Sequence, residues 1–166
     1  MNELILFSTE RCVLGTVLAA RSERGLCALL LGDDPATLVH ELQQRFPGAD
    51  LREDRVTLQS LVSDVTAFLA RPGNRLDVAL DLRGSAFEER VWRALQEIPA
   101  GSVQTYGEVA RRLGVPRSAK EVGEACAANA IAVAIPCHRV VRKDGGLAGY
   151  RWGVRRKRAL LELEKR

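Results

Sequence analysis

The sequence predicts an α+β protein: a sheet-and-helix N-terminal part over residues 1–82, packed on a mainly helical C-terminal part over residues 83–166. Three observations predict it. Short apolar runs broken by glycine crowd the start of the chain, helical periodicity fills most of the chain after Gly84, and Asp81-Leu82-Arg83-Gly84 reads as a joint between the two.

Leu4 to Ser8, Val13 to Ala20 and Leu26 to Leu31 alternate apolar and polar residues in short runs, as strands of an antiparallel sheet do, with Gly15 and Arg24-Gly25 at turns or bulges. Pro35 opens a helical pattern through Leu38, Val39, Leu42 and Phe46, which Pro47-Gly48 stops. A second helix over Leu58 to Leu69 puts Leu58, Leu61, Val62, Val65 and Phe68 on one face, and Val78-Ala79-Leu80 can return to the sheet. Ser85 can cap a third helix carrying Phe87, Val91, Trp92 and Leu95. Thr105 with Glu108, and Ser118 with Glu121, are capping-box pairs whose helices flank the turn Gly114-Val115-Pro116-Arg117, a helix-turn-helix pattern. Lys143-Asp144-Gly145-Gly146 reads as a turn joining short extended runs. Gly149 to Gly153 reads as a loop, and Val154 to Glu164 as a last helix with Leu160, Leu161 and Leu163.

Composition narrows the function classes. The 166 residues are 46% hydrophobic and 28% charged, which suits a folded protein with a core. No apolar run approaches the roughly 18 residues of a membrane span. The first residues carry early acids and too short an apolar stretch for a signal peptide, so the chain reads as an intracellular, cytoplasmic protein. Cys12, Cys27, Cys126 and Cys137 form no C-x-x-C pair and are expected as free thiols. With His40 and His138 far apart and no ligand pair at zinc spacing, no metal site is expected. Net charge is +4 but uneven: up to Leu80 there are 8 basic and 11 acidic residues, net −3, and after it 17 and 10, net +7. The basic half either meets a polyanion or is a well-solvated surface. Ala119, Gly123, Ala125, Ala127 and Ala128 make the helix after Ser118 slim, either for tight packing or for entry into a DNA groove.

The tetrapeptide Pro136-Cys137-His138-Arg139 carries the chemistry. A thiol of ordinary acidity is mostly protonated at neutral pH, so a nucleophilic cysteine needs a base or positive surroundings, and His138 and Arg139 offer both. Side chains at adjacent strand positions diverge. His138 is therefore expected to act on Cys137 through a bridging water, with a carboxylate on its far nitrogen fixing the tautomer. Glu162 and Glu164 are both candidates on spacing alone. The plain structural alternative is that Cys137 is a small buried hydrophobe.

IPCHRVV, with Asn129 eight residues before the cysteine and Gly-Tyr-x-x-Gly soon after it, resembles the O6-alkylguanine-DNA alkyltransferases, also called methylated-DNA–protein-cysteine methyltransferases. The resemblance is strong from about Arg83 to Glu164. Before that it rests on the order of strands and helices, which is similar to the family's ribonuclease-H-like domain. It implies a C-terminal DNA-binding and alkyl-acceptor domain with a winged helix-turn-helix, and direct repair without a cofactor. In that repair the alkyl group of O6-alkylguanine, and of O4-alkylthymine, passes once and irreversibly to Cys137 of a monomer bound in the minor groove of double-stranded DNA after base flipping. On this resemblance His138 is the base acting through water and Glu164 orients it. Asn129 braces the active-site turn, and Tyr106 assists flipping and hydrogen-bonds the base. Tyr106, Arg117, Ser118, Ala119, Lys120, Gly123 and Lys143 are expected at the DNA, while Arg139 and Tyr150 back the site without reacting.

The sequence departs from the family at Lys120, where an arginine usually fills the gap left by the flipped base, and at Glu121, where a small residue is usual. Lysine keeps the charge but loses the planar fork. Two other classes of function compete. One is a winged-helix regulator with Cys137 as an oxidation sensor, which wants an accessible, acidic thiol and a resolving partner such as Cys126. The other is a cysteine hydrolase, which needs an oxyanion hole and a cysteine and histidine brought from separate segments.

Overall fold

In the computed structural model, which describes residues 2–73, 75–114, 119–147 and 149–165, strands β1 (Leu4–Cys12), β2 (Gly15–Ser22) and β3 (Gly25–Gly32) form an antiparallel meander. The glycines at both hairpins are needed: Gly15 and Gly25 have φ of 114° and 143°, and a Cβ on Gly25 would sit 2.4 Å from the Ala79 carbonyl oxygen. Burial does not alternate as expected for these strands, since every residue from Leu26 to Leu31 is buried. The sheet is also not purely antiparallel. A fourth strand, β4 (Asp50–Glu53), pairs parallel with β1 and gives the order β3-β2-β1-β4. Val78-Ala79-Leu80 forms no strand: Leu80 makes a single parallel bridge to Leu26, flanked by hydrogen bonds from Leu26 N to Ala79 O and from Asp81 N to Leu26 O.

Helix α1 (Pro35–Arg45) starts on Asp34, whose carboxylate accepts from Thr37 N–H, and packs on β2 and β3. Helix α2 (Gln59–Ala70) buries Val62, Val65, Phe68 and Leu69 and packs on β1 and β2. These elements form the unit Met1–Leu82.

The second unit, Arg83–Arg166, is built round three helices packed in pairs. They are α3 (Ala86–Gln96), α4 (Tyr106–Leu113) and α5 (Ala119–Ala127). Ser85 and Glu88 close a capping box on α3, and Thr105 and Glu108 close one on α4, each pairing satisfying backbone donors that the first turn leaves free. Trp92 of α3 is buried and donates its indole N–H to the Ala125 carbonyl of α5 at 2.9 Å. Helix α4 ends on Gly114, left-handed at φ 64°, and the expected turn and capping serine beyond it, including Arg117 and Ser118, lie outside the described residues.

Beyond α5 a loop leads to a single 3-10 turn at Cys137–Arg139 and to the short strand β6 (Val140–Val141), which pairs parallel with β5 (Gln104–Thr105). Helix α6 (Val154–Glu164) ends the described chain and packs on the 3-10 turn. The chain is α+β, with a mixed sheet and, among the described residues, six α-helices. No helix among those residues is long and apolar enough to cross a membrane.

Candidate active site

Cys137 sits on a 3-10 turn rather than on a strand, because Pro136 accepts from Arg139 N–H at 2.9 Å and the chain turns there. Of the three side chains after Pro136, Cys137 meets Asn129, while His138 and Arg139 both reach Glu164. Asn129 is fully buried. Its side-chain amide donates to Ile135 O at 3.1 Å and to Cys137 Sγ at 3.4 Å, and its carbonyl accepts from Ile131 N–H at 2.8 Å. These bonds hold a turn in which Val133 is left-handed at φ 68°, a costly conformation for a β-branched residue that persists where its surroundings over-determine it.

His138, fully buried, donates from Nε2 to Glu164 Oε2 at 2.9 Å, and its Nδ1 has no hydrogen-bond partner among the described residues. Arg139 reaches the same carboxylate, with Nε 3.1 Å from both oxygens, and donates from Nη1 to Ile98 O at 2.7 Å. Burial works against ionising Glu164 but is outweighed by the hydrogen bonds and charges of His138 and Arg139, so its carboxyl lies below the usual range. Burial pushes His138 below its ordinary value despite the opposing Glu164 carboxylate, so the imidazole is neutral near pH 7. Burial likewise pushes the Cys137 thiol up, against the Asn129 hydrogen bond and the charges of Lys157 and Arg151. Cys137 thus rests as a thiol, and the neutral His138 imidazole has its tautomer fixed by the Glu164 carboxylate.

Cys137 opens onto a pocket of about 370 Å³, lined also by Tyr106, Gly123, Cys126, Ala127, Gly149, Tyr150 and Arg151. Burial, then the neighbouring thiols, raises the Tyr106 phenol to about 12, so it remains a hydrogen-bond donor at any physiological pH. The Tyr150 hydroxyl is buried without a hydrogen-bond partner among the described residues.

Residues 86–166 match the family described as 6-O-methylguanine DNA methyltransferase, DNA binding domain. The inducible methylated-DNA–protein-cysteine methyltransferase of Bacillus subtilis is 39% identical over 124 residues, covering 75% of this chain and 69% of its own length. The crystal structure of Mycobacterium tuberculosis O6-methylguanine methyltransferase superposes with a TM-score of 0.79 at 36% identity, covering 97% of this chain and 93% of that one. The chain belongs to the methylated-DNA–protein-cysteine methyltransferase family. Among its relatives, the bifunctional transcriptional activator/DNA repair enzyme Ada of Escherichia coli is 49% identical over 163 residues, which span 98% of this chain but only 46% of Ada. The Mycobacterium tuberculosis protein has also been solved in complex with DNA, and that structure matches with a TM-score of 0.78 at 35% identity, covering 98% of this chain and 92% of that one.

In this methyltransferase fold hydrogen bonds join Asn129 to Cys137 and join His138 and Arg139 to Glu164, and Tyr106, Gly123 and Tyr150 line the pocket with Cys137. Ala119, Lys120 and Lys143 are exposed and take no part in those bonds. Of the two candidate carboxylates, Glu164 is buried against His138, while Glu162 is exposed and pairs with Lys165 at 3.1 Å. Reasoning from sequence missed Lys157. It is fully buried on α6, donates to Val140 O at 2.6 Å, and lies 5.9 Å from the centroid of the Tyr106 ring. Its signal was present in the spacing, since Lys157, Leu160 and Glu164 recur at one helical face, but an apolar search skips two of those three positions. Arg151 and Cys126 were likewise not expected at the pocket.

Proposed function

We propose that this protein repairs DNA by accepting the alkyl group of O6-alkylguanine onto Cys137, once per molecule, after the damaged base has been flipped into the pocket beside it. The observation that carries this reading is Cys137 on the wall of an open pocket, hydrogen-bonded by Asn129, with its chain neighbour His138 buried against Glu164. An alkyl group on an ether oxygen is attacked in line at carbon, and a thiolate is the soft nucleophile that suits this. His138 Nδ1 takes the Cys137 proton through water, while Glu164 holds the imidazole and balances the positive charge that develops on it, and Arg139 holds the Glu164 carboxylate in place. The sulfur–carbon bond forms as the carbon–O6 bond breaks. The electron pair goes to the guanine, and the Tyr106 phenol donates a hydrogen bond to the departing base. The product thioether has no hydrolytic route back.

Base flipping costs about a few kcal/mol, least for a damaged pair, and that difference contributes selectivity. The slim outer face of α5 suits a minor groove. Ala119 and Ala127 are exposed, and a Cβ on Gly123 would meet only the Tyr106 ring, at 3.8 Å, so packing within the protein does not demand the missing side chain. The solved DNA complex of the Mycobacterium tuberculosis relative supports DNA as the partner. A thiol sensor wants an exposed, acidic thiol; Cys137 is 4% exposed and burial raises its thiol, which favours transfer. The test is stoichiometry. With excess duplex containing O6-methylguanine, the modified base lost should plateau at one per protein, and continuing turnover, or no loss at all, contradicts the reading.

A further inference from the structure

Two thiols line the pocket, and the transfer chemistry uses one of them. Cys126, near the end of α5, and Cys137, on the 3-10 turn, are both buried, both border the same space of about 370 Å³, and are both free of disulfides. The Lys157 ammonium stands close enough to favour the ionised form of each, and an ionised Cys137 in turn disfavours ionisation of Cys126. What separates the two is support. Burial pushes both thiols up. For Cys137 the Asn129 amide, which donates to its sulfur, opposes that push. For Cys126 the charge of Cys137 adds to it, and among the described residues no hydrogen bond supports a Cys126 thiolate. The first alkyl group therefore goes to Cys137, with a second, unused thiol beside it.

We propose that Cys126 is a second nucleophile, which closes an intramolecular thioether bridge to Cys137 when the transferred alkyl group carries a leaving group of its own, as a 2-chloroethyl group does. This step follows the transfer proposed for Cys137 and rests on it. Transfer leaves Cys137 as an S-(2-chloroethyl) thioether. Its sulfur lone pair displaces chloride from the second carbon, giving a three-membered cyclic sulfonium, and the carbon–chlorine pair departs with the chloride. The Cys126 sulfur then attacks a ring carbon, the carbon–sulfur pair returns to the Cys137 sulfur, and the Cys126 proton passes to solvent through the open pocket. The net change is loss of HCl and a two-carbon link between the sulfurs, with nothing oxidised or reduced. Two features favour the thiol over water and DNA as the trap. An alkylated Cys137 is neutral, which removes the charge that disfavoured a Cys126 thiolate while Lys157 continues to favour it. The electrophile is also tethered in the pocket that Cys126 lines, and a tethered reactant outcompetes free ones through its high effective concentration. A methyl group has no second leaving group, so O6-methylguanine stops at Cys137. The substrate class added is guanine alkylated by bifunctional agents, and the bridge disarms a half-mustard that would otherwise link the protein to the duplex.

Two lesions separate the bridge from simple transfer. Wild type and Cys126→Ser are mixed with excess duplex carrying freshly prepared O6-(2-chloroethyl)guanine, and wild type also with an O6-methylguanine duplex. The products are read by intact mass, by thiol titration after denaturation and by peptide mapping. With the chloroethyl duplex the wild type should gain about 26 Da, lose two of its four titratable thiols, and yield Cys126 and Cys137 in one cross-linked peptide. With the methyl duplex it should lose one thiol. Cys126→Ser should lose one thiol to the chloroethyl duplex and carry a hydroxyethyl group, about 44 Da, or a DNA strand in place of the bridge. A wild-type product that keeps Cys126 as a free thiol, whether chloroethyl, hydroxyethyl or DNA-linked at Cys137, overturns the proposal. So does the 26 Da gain in Cys126→Ser, and so does a wild type that accepts methyl but no chloroethyl group. The wild-type peptide map decides even where Cys126→Ser does not fold. If the wild type accepts neither group, it is the transfer reading that fails.

Discussion

At the scale of single residues, Glu164 holds two partners with one carboxylate, and its removal should separate orientation from charge. Glu164→Gln leaves Arg139 buried without its counter-ion, and breaking such a pair costs about 3 kcal/mol or more. A urea titration should show that loss. It also withdraws what holds His138 up against burial, so the imidazole becomes still harder to protonate. The transfer rate of the wild type should be level near neutral pH and fall only below the ordinary histidine value of 6.5, where His138 takes a proton and can no longer accept one from the thiol. In Glu164→Gln the plateau should be lower by about 10-fold or more, and the acid limb should move to lower pH. An unchanged limb would mean that His138 is not the base.

At the scale of elements, α5 and α6 differ in what their sequences reveal. The limits of α6 are legible, with Gly153 before it and a helical run through Glu164, yet its buried face is Lys157, Leu160 and Glu164 rather than the leucines alone. Two of those side chains serve the site, and apolar periodicity is blind to them. Strand β4 is illegible for another reason: Asp50-Leu51-Arg52-Glu53 has a single apolar residue and lies at a half-exposed sheet edge, so only its pairing with β1 defines it. Strands β5 and β6 are two residues each, too short for any period. The motif around Cys137, by contrast, was legible because Asn129, Cys137 and His138 lie within one stretch of ten residues. On α5, Gly123→Leu should leave stability near or slightly above wild type, since leucine is about 0.8 kcal/mol better than glycine in a helix and a Cβ there meets only ordinary contact. Duplex affinity should nonetheless fall at least 10-fold, measured by titration at fixed salt. Unimpaired binding would remove α5 from the proposed groove.

At the scale of the whole molecule, net charge of −3 up to Leu80 and +7 from Asp81 onward concentrates the attraction for a polyanion in the half that carries Cys137. The same half carries the buried titrating groups, which sets how stability responds to acid. His138 titrates below its unfolded value, so the unfolded chain takes up that proton first and stability falls as pH drops from about 6.5. Glu164 is also held below its ordinary value of 4.5, and the stability it contributes above that pH is lost as pH falls through its folded value. Chemical denaturation at a series of pH values should show a first decline starting near 6.5 and a second below 4.5, and His138→Gln should abolish the first. The central claim is that Cys137, and not its neighbour Cys126 in the same pocket, receives the alkyl group. Intact mass after reaction with excess O6-methylguanine duplex, then peptide mapping, tests it most directly. The account predicts one added methyl, about 14 Da, on Cys137 alone and none in Cys137→Ser. An unchanged mass, or a methyl on Cys126, would contradict it.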